Sequence, residues 1–199
     1  MPTGVALDDP RAQLVAAAER LLARGGAAAL TSRAVTDEAG VAKGVLHRHF
    51  ADFDDFLAAL VRTRIQRADE VGDRLVAAAG SRTVVGNVSG YLAATLDDVA
   101  LAVVALVTAR DELRRRLRET SPEGLPLLVE ITRALTTYLT AEQSYGRVAP
   151  TPEPRYLAMT VVGTGHLMFA GELGALPDEA AVREVVESVL VGALWSPDR

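Results

Sequence analysis

Apolar residues recur along this chain with helical spacing, and strand-like alternation is scarce. Leu14, Ala18, Leu21 and Leu22 fall at i, i+4, i+7 and i+8. They form one face of a first helix that begins after Asp8 and ends at Gly25-Gly26, with Arg11, Arg20 and Arg24 off that face. Thr31 and Ser32 offer hydroxyl caps to a second helix whose inner face is Val35 and Ala39, and Gly40 supplies the left-handed backbone of a sharp turn. Val41, Leu46 and Phe50 continue the apolar stripe, and the i, i+4 pair Leu46–Phe50 anchors a third helix over Ala42 to His49. Asp52 then caps a long fourth helix through Phe56, Leu57, Leu60, Val61, Ile65 and Leu75, ending near Gly80 and joining two lobes. Beyond Ser81, breaks near Pro122, Gly146 to Pro154 and Gly174 to Asp178 predict helices over about 83–96, 97–119, 123–145, 154–173 and 179–195. The first two of these read as separate helices or as one bent element.

Two short helices meeting at Gly40, over residues 31–50, have the form of a helix-turn-helix reader of DNA. With Leu46 and Phe50 turned inward, Lys43, Gly44, His47 and Arg48 fall within an arc of about 140° on the opposite side. Lys43 is the only lysine in the chain. The expected phosphate contacts are Thr31, Ser32, Arg33, Lys43, His47 and the backbone at Gly44, where a missing side chain permits close approach. Arg48 is the expected base reader, because its planar fork fits guanine O6 and N7. Val45 is placed either against a thymine methyl or in packing, and His49 is expected to be mainly structural.

Composition narrows the picture. A chain of 199 residues, 49% hydrophobic, can bury one sizeable core or two modest ones. Its net charge of −5 argues against coating nucleic acid through a general basic field, and residues 1–60 hold six basic side chains against eight acidic ones. Any DNA contact is therefore local. The apolar run Val99 to Val107, bounded by Asp97, Asp98 and Arg110, is too short for a bilayer, and no basic-then-apolar leader opens the chain. The expectation is a cytoplasmic protein with no membrane partner. The absence of cysteine removes disulfide and thiolate chemistry.

Thr31, Arg33, Val35, Ala39, Gly40, Val41, Lys43, Gly44, Leu46, His49 and Phe50 match, or nearly match, a known pattern. Over residues 8–62 the chain resembles the TetR family of bacterial transcriptional regulators, and its C-terminal part is similar in length and helical pattern. The resemblance implies an all-α fold: an N-terminal three-helix helix-turn-helix DNA-binding lobe (1–52) and a C-terminal helical lobe for ligand binding and dimerisation (53–199). It also implies a homodimer of nine-helix or ten-helix subunits on a palindromic double-stranded operator, released by a small-molecule effector. An effector pocket lined by the fourth helix and by Tyr91, Leu106, Tyr138 and Met159 follows from that architecture. With aromatics at 5%, a mainly apolar or acyl-like ligand is expected rather than a large planar cation. Three departures remove contacts the family commonly makes: Ala42 for a serine cap, His47 for a tyrosine, and Phe53 for a lysine among Asp52, Asp54 and Asp55. They predict a thin phosphate grip and a shallow salt dependence.

Other features receive plainer readings. Gly163, Ala170 and Gly171, with Val182, Val186, Val189, Leu190 and Ala193, are expected at a dimer interface built from the last two helices. His47 and His49 point to different sides of a helix and have no third ligand nearby, so no metal site is expected. Gly163-Thr164-Gly165-His166 is not a nucleotide loop, since no strand precedes it and Met168 takes the third glycine position. Arg114, Arg115, Arg116 and Arg118 read as a solvated helix end beside Asp111, Glu112 and Glu119. No nucleophile–base spacing is present, so neither catalysis nor a cofactor is expected. The competing reading is a small-molecule or protein-binding sensor of the same fold that has lost DNA affinity.

Overall fold

The computed structural model describes residues 9–119, 124–171 and 174–194. Among these are ten α-helices and no β-strand: α1 (Pro10–Gly25), α2 (Ser32–Glu38), α3 (Gly44–His49), α4 (Phe53–Ala77), α5 (Val84–Thr95), α6 (Asp98–Ala109), α7 (Asp111–Arg118), α8 (Leu128–Ser144), α9 (Pro154–Phe169) and α10 (Glu179–Leu190). The break expected at Pro122 lies outside the described residues, and the last helix, expected to reach 195, ends at Leu190. Side-chain caps start six of these helices, Asp9, Thr31, Asp52, Thr83, Asp97 and Asp178 each accepting the backbone N–H of the residue three positions on.

The all-α fold class is as the periodicity indicated, with several boundaries corrected, among them the end of α9 at Phe169 rather than 173. The segment 97–119 is two helices rather than one, because Arg110 is extended at φ −126° and ψ 99° and turns its guanidinium toward α4. The helix expected from 123 begins at Leu128, after Leu127 at φ 75°. The third helix is two residues shorter than expected, because neither Ala42 nor Lys43 supplies a capping side chain.

The head is held by Leu14, Ala18 and Leu22 of α1, Val35 of α2, Leu46 of α3 and Phe50, all buried. Gly40, at φ 68°, turns α2 into α3 while Val41 N–H donates to the Thr36 carbonyl at 3.0 Å, the bond expected of a left-handed helix end. α4 spans 25 residues, about 37 Å. Its first turns pack Phe56 edge-on against Phe50 at 5.2 Å. Its later turns lie on α8, where a Cβ added to Gly72 would stand 2.6 Å from the Ala134 Cβ. One helix thus ties the head to the C-terminal lobe.

Glu38 clamps α2 to α1 by accepting from Arg20 at 2.7 Å and from Arg24. The hydrogen bonds from Arg24 and then Arg20 pull its carboxyl from an ordinary value near 4.5 to about 2. A depressed carboxylate contributes stability above the unfolded value and loses it as pH falls toward the folded one. Glu38→Gln is therefore expected to lower Tm at pH 7, with the gap to wild type closing between about pH 4.5 and pH 2. A gap independent of pH would show that the carboxylate charge plays no part.

Candidate nucleic-acid interface

Gly40 and the inward Leu46 and Phe50 set the orientation of α3, and the outward side follows. Lys43, Gly44, His47 and Arg48 are all exposed. Among the described residues Lys43, His47 and Arg48 make no hydrogen bond, ion pair or ring contact, so their polar groups are free for an external partner. Gly44 adds a telling detail, because a Cβ there would meet nothing within 4 Å. The fold does not demand glycine at that position; an approaching backbone would.

The α2 N-terminus completes the surface. Thr31 Oγ1 accepts from the Ala34 N–H at 3.1 Å and keeps its own proton to donate, while Arg33 is exposed and only loosely paired with Asp37 at 3.4 Å. Ser32 is half-buried and its carbonyl accepts from the Thr36 hydroxyl at 3.2 Å. Val45 is half-buried against the core, which favours packing over a base contact. His49 is also half-buried, and its carbonyl accepts from Arg11 Nη1 at 2.7 Å. Arg11 was not foreseen: it caps the C-terminal end of α3 and lies 4.3 Å over the Phe50 ring, a pairing across 38 residues that no local pattern announces.

The acidic turn that opens α4 is not bare. Arg116 binds Asp52 at 2.7 and 3.0 Å, and Arg110 binds Asp54 at 2.8 and 3.0 Å. Arg116, a member of the 114–118 cluster, and Arg110 before it therefore reach the start of α4, and the reading of the cluster as a solvated helix end is corrected at Arg116. Arg115 pairs as expected with Glu112 and Glu119, Arg118 is exposed, and Arg116 shares Glu112 at 3.0 Å while it reaches Asp52.

The remaining candidates fall in different places. Tyr91, Leu106 and Tyr138 are buried in the core, whereas Met159 is 59% exposed on α9, so the four do not share one concave surface. The Tyr91 hydroxyl donates to the Ile131 carbonyl at 3.1 Å, and Tyr138 accepts from Asn87 at 3.0 Å. Burial pushes both phenols well above their ordinary range, so they stay neutral. Of the expected dimer residues, Val182, Val186, Leu190 and Ala193 are buried within the single chain, where α10 packs on α5. Their side chains pack into the chain's own core. Val189 and Gly171 are half-buried, while Gly163 and Ala170 are exposed on α9 and just after it. The exposed stripe of α9 also carries Tyr156, Met159 and Leu167.

Comparison with known proteins follows the same lines. Residues 14–60 match the family described as bacterial regulatory proteins, tetR family. No match is found among curated protein sequences. Among solved structures, a TetR-family transcriptional regulator from Agrobacterium tumefaciens is 17% identical and aligns over 94% of this chain and 98% of its own, with a TM-score of 0.70. The transcriptional regulator FadR from Bacillus subtilis, in complex with stearoyl-CoA, is 19% identical over 91% and 98%, with a TM-score of 0.68. A member of the TetR family from Streptomyces coelicolor A3 is 25% identical over 92% and 98%, with a TM-score of 0.60. These likenesses establish a shared fold over nine-tenths of the chain.

Proposed function

We propose that this chain, whose residues 14–60 match the bacterial regulatory proteins of the tetR family, is a ligand-responsive repressor acting in the cytoplasm. It binds a palindromic double-stranded operator as a homodimer, with residues 1–52 as the DNA-binding unit, and a small, mainly apolar molecule in the C-terminal lobe releases it. The observation that carries this reading is the exposed, unpaired set Lys43, His47 and Arg48 beside Gly44, standing over the buried anchors Leu46 and Phe50.

The other parts have their own support. The exposed apolar stripe Tyr156, Met159 and Leu167, opened at Gly163, suits close pairing of α9 with its two-fold mate. A cavity of about 290 Å³ between α5, α9 and α10 is lined by Ser89, Gly90, Ala93, Phe169 and Val182. The Ser89 hydroxyl is buried there without a partner, a polar anchor in a cavity whose wall also carries Asp178, Glu179 and Arg183. The apolar part of that lining, Ala93, Phe169, Pro177 and Val182, and the relative solved with stearoyl-CoA support an acyl-like effector.

The test is selection from random duplex DNA with the full chain, which makes no assumption about the regulated genes. The expected product is an inverted repeat whose half-sites lie about 34 Å apart along the duplex. Failure to enrich any sequence above the starting pool would overturn the proposal and favour a sensor without DNA affinity.

A further inference from the structure

The head follows an odd electrostatic course. The recognition helix ends at His49, and the next helix opens on Asp52, Asp54 and Asp55. Four residues separate Asp52 from Arg48, at most about 14 Å of chain. Exposed carboxylates so near would repel a phosphate backbone held against α3, over a screening length of about 8 Å at physiological salt.

Each of the three acids is matched, Asp55 by a backbone N–H of the head and the other two by arginines from outside it. Asp55 Oδ2 accepts from the Ala51 N–H at 3.1 Å. Asp52 Oδ1 caps α4 through the Asp55 N–H at 2.8 Å, and both its oxygens accept from the Arg116 guanidinium in a two-bond fork. Asp54 Oδ1 accepts from Arg110 Nε and Nη2, and the same guanidinium lies 5.9 Å from the centre of the Phe53 ring. Phe53 in turn stacks on Phe56 at 5.7 Å. Arg110 precedes α7 and Arg116 lies within it, and they reach partners 56 and 64 residues away. The backbone break at Arg110 allows this reach, since a continuous 97–119 helix would not leave Arg110 extended.

We propose that Arg110 and Arg116 are positioning residues for DNA binding, whose task is to neutralise Asp54 and Asp52 so that the α3 surface carries net positive charge toward the duplex. This rests on the DNA-binding reading above. The departure from the family pattern at Phe53 then has a counterpart: the positive charge missing from the start of α4 is supplied by α7. The downward shift of the Asp52 carboxyl, caused first by the Asp55 N–H and then by Arg116, agrees with a pair that stays ionised. Operator affinity becomes conditional on α7 being seated against α4, and any event that lifts α7 restores two negative charges beside the recognition helix.

The test uses the selected duplex and the full chain, with affinity measured from about 50 to about 300 mM salt. Arg116→Ala is expected to weaken binding about tenfold at the low end, with the loss shrinking as salt rises. Asp52→Asn removes the charge and keeps a capping oxygen, so Arg116→Ala/Asp52→Asn is expected to return to within about twofold of wild type. Arg110→Ala with Asp54→Asn should behave alike, and Arg115→Ala should bind as wild type. Two outcomes overturn the inference: unchanged affinity in Arg116→Ala and Arg110→Ala, or a loss that the asparagine partner does not restore. The second would assign the arginines to lobe packing rather than charge. If the wild-type chain binds no duplex at all, the DNA reading itself fails, an outcome plainly distinct from failed rescue.

Discussion

Leu46→Ala is expected to cost about 2–5 kcal/mol of head stability, the range for a fully buried leucine that leaves a cavity behind. The magnitude follows from how little else holds α3. The helix has six residues, far below the length of about 12–15 at which isolated helices become stable, so packing rather than propensity maintains it. Leu46 is 0% exposed and Phe50 2%, and they are the only fully inward side chains on this element and its C-cap. Removing the leucine empties the space between α1, α2 and α4 and frees the helix to rotate. The measurement is chemical denaturation together with amide exchange of residues 32–50. Leu46→Met, which nearly conserves volume, should cost less than about 1.5 kcal/mol. A loss below about 1 kcal/mol in the alanine variant would mean that α3 is held by something other than this anchor.

The head was legible in the sequence because its determinants are local. Thr31, Gly40, Leu46, Phe50 and Asp52 each act within one or two turns through a cap, a left-handed turn or an i, i+4 contact, and periodicity records such things directly. The C-terminal lobe is decided by distances between residues far apart in the chain. The broad apolar face of α10 was visible, but not that its own α5 would pack against its buried side. Gly72 drew no notice, since its requirement is the 2.6 Å that a Cβ would have from Ala134 on α8. The arginine-rich segment was misread for a related reason. Composition places Arg115 and Arg116 alike beside Glu112, and only the fold sends Arg116 to Asp52. Aromatic residues in the second lobe attract a ligand reading, yet Tyr91 and Tyr138 spend their hydroxyls within the core.

Arg48→Ala and Lys43→Ala are expected to weaken operator binding in different ways, and the contrast is the more informative result. Arg48 is exposed and unpaired, with a fork that can take two acceptors on one guanine edge, so its loss should cost about 1–3 kcal/mol at one base pair. That is about 5- to 150-fold in affinity for the selected sequence, with the preference at that position flattened. Lys43, the sole lysine, sits at the start of α3 as a point charge without a partner. Its loss should weaken every sequence by a similar factor and reduce the salt slope by about one per subunit. Competition titrations with the selected operator and with single-position variants of it, at two salt concentrations, separate the two effects. Uniform weakening by both variants would make Arg48 a phosphate contact and move base reading elsewhere on the head. Unchanged binding in both would remove this face of α3 from the interface, because Gly44 and His47 alone hold too few donors to bind a duplex.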